Sequence, residues 1–216
     1  ESEPSGAEVF IDGVKVGTTP LKDQDVARGF HKVRLSVGGD YRDWEEVVEF
    51  NDKEVSMTGR KKIAFHKDYL RMGEIAEGQG NVDKAIEMYG KTTPDHPDYA
   101  VARQRRARLY LDEANNPKAA VEEYERVVAI PEVKALVYKQ FAVTYTNLGH
   151  AYHEYANTLL NSDPRQAAKL LAKAIKVLEK AKRNTRFFPE DSYSEAVHDT
   201  YYYRALAYHK LYQVTH

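Results

Sequence analysis

The sequence predicts two domains: an N-terminal all-β sandwich over residues 1–62 and a C-terminal all-α helical repeat, a superhelix, over residues 63–216. Two observations predict this division. Apolar residues recur at every second position in the first part, which is the period of a half-buried strand, and with a helical period from about Phe65 onward. Six of the eight prolines lie in the second part, each between helical patterns. We therefore place the boundary between Gly59 and Ile63.

Alternating apolar residues predict five to seven short strands in the first part. Turn-forming residues separate them. Asp12-Gly13 suits the positive φ angles of a two-residue hairpin, and Gly38-Gly39 can adopt backbone conformations that other residues resist. The residues expected to face the core are Val9, Ile11, Val33, Leu35, Val37, Trp44, Val48, Phe50, Val55 and Met57.

The helical period and the prolines of the second part predict seven helices. Asn116-Pro117 and Asp163-Pro164 each place a side-chain acceptor before a proline, whose missing N–H costs nothing in the first turn of a helix. Ser192 and Glu195 have the spacing of a capping box. The predicted helices span residues 64–79, 82–93, 97–113, 116–130, 132–161, 164–184 and 192–214.

The helices also carry an internal repeat. The repeat unit has a small residue on its first helix, a small residue on its second helix, an aromatic residue four positions later and a closing proline; the third pair departs from this pattern and the last helix repeats only the first half. The residues that recur are Tyr69, Met72, Gly73, Ala85, Tyr89 and Pro97; Ala107, Tyr110, Ala120, Tyr124 and Pro131; Tyr145, Leu148, Gly149, Tyr152, Ala174, Leu178 and Ala181; and Tyr201, Arg204, Ala205 and Tyr208. This spacing resembles the 34-residue tetratricopeptide (TPR) repeat, and the resemblance implies about 3.5 stacked repeats.

The first part resembles a second known family. Pro4-Ser5-Gly6-Ala7, the segment 9–13, the segment 17–21 and Gly29-Phe30-His31 resemble the PEGA domain, a small bacterial β-sandwich in which Ser5 replaces the usual Glu. The resemblance implies a bacterial, often envelope-associated protein with no known catalysis. We therefore expect a place in the bacterial cell envelope, with the periplasm as the first choice.

Composition leaves that compartment open. The absence of cysteine suits a reducing cytoplasm and a periplasm equally. Because the chain begins at Glu1 rather than Met, we expect it to be a piece of a longer protein, with any signal segment or lipid anchor upstream. A net charge of −1 and the lack of an apolar run of about 20 residues argue against nucleic-acid binding and a membrane span.

Patterns that carry chemistry are largely missing. The sequence has neither a phosphate-binding Gly-x-x-x-x-Gly-Lys loop nor a Gly-x-Ser-x-Gly nucleophile turn. His150 and His153 share a helix face beside Glu154, but their order is not that of zinc proteases. Paired carboxylates such as Glu122-Glu123 predict a solvated face. We predict no enzyme, no cofactor and no metal site. An enzyme whose active site combines titratable groups from both domains is a further alternative, which sequence alone cannot reveal.

The tetratricopeptide resemblance also nominates a binding surface. It implies a concave face lined by the first helix of each pair, with His153 and His209 facing each other and Tyr202 as the tyrosine best placed to face the groove. A clamp for a C-terminal carboxylate is disfavoured, because Leu70 and Glu74 stand where Lys and Asn would be needed. The nominated residues are Glu74, Glu77, Gln104, Arg108, Asp112, His150, His153, Glu154, Tyr202, His209 and Lys210.

These observations predict a non-catalytic adaptor or scaffold that binds a protein or peptide partner through the concave face. The partner is expected to be a segment with both charge signs and an aromatic residue or two. The alternative is a glycan- or cell-wall-anchoring module, in which the N-terminal domain binds and the helices act as a spacer.

Overall fold

The computed structural model describes residues 1–22, 24–50, 63–64, 67–94, 96–134, 143–188 and 193–216. Contacts between residues divide the chain into two compact units, Glu1–Met72 and Gly73–His216. The predicted domain limits, residues 1–62 and 63–216, remain a prediction.

The first unit contains six strands among its described residues, within the predicted range of five to seven. Four of them form an antiparallel sheet in the order β3-β2-β4-β5, and β1 pairs in parallel with β6. The strand expected around Val55 and Met57 lies outside the described residues. The strands are β1 (Ser2–Glu3), β2 (Glu8–Ile11), β3 (Val14–Thr18), β4 (Gly29–Ser36), β5 (Trp44–Phe50) and β6 (Ile63–Ala64).

The hairpin turn and the core of this sheet follow the predicted pattern. Asp12 and Gly13 have φ angles of 49° and 84°, and Ile11 pairs with Val14 across the turn. The Asp12 carboxylate also accepts a hydrogen bond from the backbone N–H of Lys32 at 2.9 Å, which ties the turn to β4. The core consists of Ala7, Val9, Val33 and Leu35, with Ile11, Val37, Trp44, Val48 and Phe50 partly buried against it.

The helical part contains, among the described residues, seven α-helices of nine residues or more, one single-turn α-helix and one short 3-10 helix, Thr185–Phe187. The prediction of a helix from residue 64 is wrong at its start, because Ile63 and Ala64 pair with Ser2 and Glu3 as β6. The helix predicted over 132–161 corresponds to α5 and α6, and residues 135–142 are not described. The helices are α1 (Tyr69–Gly78), α2 (Val82–Gly90), α3 (Tyr99–Asp112), α4 (Pro117–Ala129), α5 (Pro131–Lys134), α6 (Thr144–Leu159), α7 (Pro164–Arg183) and α8 (Tyr193–Thr215).

Two predicted helix caps are confirmed. The Asn116 side chain accepts a hydrogen bond from the N–H of Ala119 at 3.1 Å, and the Asp163 side chain accepts one from the N–H of Gln166 at 2.9 Å. In both helices the proline occupies the first turn. The capping box at Ser192 lies outside the described residues.

Small residues at the predicted repeat positions permit close helix packing. A Cβ atom added to Gly73 would lie 2.4 Å from the Tyr89 ring, and one added to Gly149 would lie 2.3 Å from Leu178. Ala85 and Ala107 are fully buried. Consecutive helices pack in series, α2 on α3, α3 on α4, α4 on α6, α6 on α7 and α7 on α8. The predicted helical repeat is therefore confirmed.

The carboxylate of Glu123 is buried, although the sequence predicted that it faces solvent. Glu123 is buried, with its side chain 4% exposed, so the prediction that Glu122-Glu123 is a solvated face is wrong for this residue. The Glu123 carboxylate accepts hydrogen bonds from Arg103 and Arg106, each at 3.1 Å, and from Arg126. Arg103 also donates to the carbonyl oxygen of Gly90 at 3.3 Å, so these charges join the end of α2 to α3 and α4.

In the described part of the chain, none of the helices has the length and apolar character that crossing a membrane requires.

Candidate partner-binding surface

The nominated residues lie on α1, α3, α6 and α8, the first helices of the repeat pairs. We call these nominated residues and their contacts the A-helix surface, and it contains two clusters. In the first cluster, Arg105 of α3 lies 3.0 Å from Glu74 and 3.7 Å from Glu77 of α1, and Arg108 pairs with Glu77. Tyr89 donates a hydrogen bond to Glu77 at 2.6 Å.

This first cluster is electrically balanced. Two carboxylates, those of Glu74 and Glu77, meet two guanidinium groups, those of Arg105 and Arg108. Three of these side chains are 40–52% exposed, so each pair contributes at most about 1 kcal/mol to stability. Burial, followed by the nearby Glu77 carboxylate, raises the pKa of Tyr89. Arg105 was not nominated from the sequence; it lies three residues before Arg108 on α3, so the two arginines share a helix face.

The second cluster is built on α6 and covered by α8. His150, His153 and Glu154 occupy positions i, i+3 and i+4 of α6 and therefore share a face. The His153 Nδ1 atom lies 3.0 Å from the Glu154 Oε1 atom, and the His150 Nε2 atom lies 3.7 Å from the same oxygen. The Tyr203 ring stacks on His150 with the ring centroids 3.9 Å apart and the planes 16° apart.

The sequence nominated Tyr202 for the binding surface, but the tyrosine that contacts the α6 histidines is Tyr203. Tyr202 is half exposed and stacks on His198 at 5.8 Å between ring centroids, while Tyr203 covers both histidines of α6. Consecutive side chains of a helix point about 100° apart, so Tyr202 and Tyr203 cannot both face α6. The rotation of α8 about its axis decides which of them does. His153 meets Tyr203 at 6.5 Å rather than facing His209, which is exposed.

Burial and hydrogen bonding shift the pKa values of three groups in the second cluster. Burial lowers the pKa of His150 more than the Glu154 charge raises it. The hydrogen bond with His153 lowers the pKa of Glu154, and burial raises the pKa of Tyr203 to about 12. At neutral pH the cluster therefore consists of a neutral His150, a carboxylate and a protonated tyrosine.

A cleft of about 420 Å³ opens beside this cluster, between the end of α3, the start of α4 and α6. We call it the α3–α6 cleft. It contains apolar walls, two carboxylates and polar side chains, and its lining residues are Leu111, Asp112, Asn115, Pro117, His150, Glu154, Asn157 and Thr158.

The remaining nominated residues join neither cluster. Gln104 and Lys210 are half buried and His209 is exposed, and the described contacts connect none of them to the two clusters. Within the described ranges, no group of three or more His, Asp or Glu side chains is arranged to hold a metal ion. The fold therefore brings together two sets of nominated residues: Glu74, Glu77 and Arg108 in one, and Asp112, His150, His153 and Glu154 in the other.

The fold and this surface define a class of protein, a β-sheet domain followed by a helical repeat of the type that serves as a protein-interaction scaffold. Comparison with family models identifies both parts. Residues 1–62 match the PEGA domain, and residues 64–127 match the model described as tetratricopeptide repeat protein 21 ARM repeat. The chain therefore consists of an N-terminal PEGA domain and a tetratricopeptide-type helical repeat, two domain types that are typically non-catalytic.

Two solved structures, "Crystal structure of MamA" and "Crystal structure of MamA protein", are similar to this chain at 20% sequence identity each. The matches cover 66% and 68% of this chain and 74% and 78% of the MamA chains, with TM-scores of 0.34 and 0.35. No curated protein matches the chain significantly.

Proposed function

We propose that this chain is a non-catalytic adaptor that binds a protein or peptide partner through the A-helix surface, in a bacterial envelope assembly. The observation that carries the proposal is that these first helices contact one another in pairs through side chains of this surface. Side chains of α1 and α3 pair directly, and Tyr203 of α8 stacks on His150 of α6. The location in the envelope is supported by what the PEGA resemblance implies about compartment.

The composition of the surface also supports binding to a protein. Arg108 is half exposed and Tyr202 is 50% exposed, and arginine and tyrosine are enriched among residues that dominate the affinity of interfaces. The nominated Glu74 and Asp112 are exposed as well, so the surface offers hydrogen-bond acceptors in addition to a donor and an aromatic ring.

Capture experiments with matched variants test the assignment of the surface. The full chain, immobilised, is incubated with an extract of the source cells, and captured proteins are quantified by mass spectrometry. We expect the double variant Arg108→Ala/Tyr202→Ala to lose at least one protein that the unaltered chain captures. Arg165→Ala, an exposed arginine on α7 with no described ion pair, removes the same charge elsewhere and should leave capture unchanged. Equal capture by all three proteins would refute the assignment.

A second candidate function, anchoring to glycan or cell wall through the PEGA domain, is favoured by one observation. Phe30 on β4 is 73% exposed and Val47 on β5 is 64% exposed, and the register places them diagonally on one face of the sheet. Cosedimentation of the full chain with purified cell-wall material tests this function. Phe30→Ser should abolish cosedimentation and Val14→Ser, which changes an exposed valine at the start of β3, should not. If the unaltered chain stays in solution, anchoring is excluded.

A further inference from the structure

The charges of the A-helix surface differ between its two ends. At the α1 end, the carboxylates of Glu74 and Glu77 are paired with arginines. At the other end, Asp112 of α3, Glu154 of α6 and Asp199 of α8 all lie close enough to His150 and Tyr203 to affect the pKa values of both groups. In the described part of the chain, no lysine or arginine forms an ion pair with any of these three carboxylates.

Two of these carboxylates line the α3–α6 cleft, together with a buried acceptor that has no donor. The Asn157 Nδ2 atom donates to the Glu154 Oε2 atom at 3.4 Å, and because a carboxylate accepts only, this contact fixes the orientation of the amide. The Asn157 Oδ1 atom is then buried and makes no hydrogen bond. A buried acceptor without a donor is unfavourable, so the residues that line the cleft include an unsatisfied acceptor.

A second buried atom without a hydrogen-bond partner belongs to His153, next to two residues that line the cleft. His153 is 4% exposed, and its Nδ1 atom contacts Glu154 and Asn157, both of which line the cleft. Its Nε2 atom is buried without a partner. Leu111 and Pro117 form the apolar side of the cleft. The cleft therefore combines an apolar wall with two carboxylates, and the His150 imidazole that lines it is neutral.

We propose that the α3–α6 cleft takes the side chain of an arginine from the partner segment, an inference that rests on the proposed adaptor function. The guanidinium group has five N–H donors in one plane, which suits the Asp112 and Glu154 carboxylates that line the cleft. Its aliphatic stem lies along Leu111 and Pro117. The ammonium group of lysine carries fewer donors and is more strongly hydrated, so arginine suits the cleft better.

Nuclear magnetic resonance titration of the full chain tests the inference. The probe is Nα-acetylarginine N-methylamide, and its control is the corresponding citrulline derivative, which has nearly the same shape and no charge. We expect the arginine probe to shift the backbone resonances of Asp112, His150, Asn157 and Thr158 in a saturable manner, with the citrulline probe leaving them in place. Equal shifts from both probes, or saturable shifts confined to other residues, would overturn the proposal.

Matched variants locate the binding. Asp112→Asn removes one charge from an exposed lining residue and should weaken binding of the arginine probe about tenfold, the effect of one charged hydrogen bond. Glu122→Gln removes one exposed carboxylate from α4, outside the cleft, and should leave binding unchanged. Equal weakening by both variants would show a general charge effect and refute the cleft. Spermidine binding more tightly than the arginine probe would refute the assignment to a protein side chain.

The outcomes separate this inference from the adaptor function. Should the arginine probe fail to bind while Arg108→Ala/Tyr202→Ala still loses a captured protein, the adaptor function stands and the arginine site is refuted. Should the probe bind while the surface variants capture every protein normally, the adaptor assignment is refuted, and the cleft is a site for arginine side chains without that role.

Discussion

Replacing Gly149 by Ala tests the close packing on which the helical repeat depends. Gly149 lies within α6, and the added Cβ atom would lie 2.3, 2.6 and 2.8 Å from three carbon atoms of Leu178 on α7. Real Cβ atoms do not approach other carbon atoms so closely, so either α6 must separate from α7 or Leu178 must change its rotamer. Leu178 is fully buried in a core cluster to which α3, α4, α6, α7 and α8 all contribute, so a new rotamer would displace its neighbours.

Two opposing effects set the magnitude. Alanine is favoured over glycine inside a helix by about 1 kcal/mol, which would stabilise the variant. Overpacking of a well-packed core costs about 1–3 kcal/mol, and the upper end applies here because all three contacts are with a fully buried side chain. We therefore expect a net loss of about 1–2 kcal/mol. At about 2–4 °C per kcal/mol for a chain of this size, the melting midpoint falls by about 2–8 °C.

Thermal unfolding followed by circular dichroism at 222 nm measures this change, since the helices dominate the signal. Gly78→Ala is the matched control: Gly78 ends α1, and a Cβ atom there meets nothing within 4 Å. The control should keep or slightly raise the midpoint, because only the helix propensity changes. If Gly149→Ala also keeps or raises the midpoint, the close contact between α6 and α7 does not exist in solution, and the repeat register is wrong at that pair.

Three further predictions concern buried charge, capping and pH. Glu123→Gln should lower the free energy of unfolding by about 3 kcal/mol in urea denaturation, because it leaves three arginines without their shared carboxylate, whereas the exposed Glu122→Gln should change it little. Asn116→Ala should cost about 1 kcal/mol by the same measurement, since it removes the cap of α4. Burial lowers the pKa of His150 below 6.5, so the unfolded chain binds protons first and stability falls as the pH drops through about 6.5. His150→Gln should therefore lose less stability than the unaltered chain between about pH 7 and 5, and identical losses would contradict the buried, neutral state of this ring.

Much of the fold was predictable because it is encoded by neighbouring residues. The turn at Asp12-Gly13 needs positive φ angles that few residue types adopt easily, and Asn116-Pro117 and Asp163-Pro164 specify helix starts through their own side chains. The small residue at Gly73 and the aromatic at Tyr89 recur at a fixed spacing, which the helical period converts into a contact. The start of α1 could not be predicted, because Ile63 and Ala64 are held as a strand by Ser2 and Glu3, about 60 residues away in sequence.

The candidate site was predicted in part for the same reason. His150, His153 and Glu154 lie on one turn of one helix, so their proximity follows from the sequence alone. Their contact with Tyr203 depends on how far α8 is rotated about its axis when it packs on α6. The arginines around Glu123 come from positions up to 20 residues away in sequence, and nothing local distinguishes Glu123 from its exposed neighbour Glu122.

By itself the sequence determined the two domain types, the turns and caps, and the faces of the helices that are buried, since each of these depends on residues within one or two turns of each other. Only the tertiary structure decided which charges meet across helices, which tyrosine covers the histidines and where a cleft remains open. Those outcomes depend on the separation and rotation of packed helices, which are set by the summed contacts of many side chains.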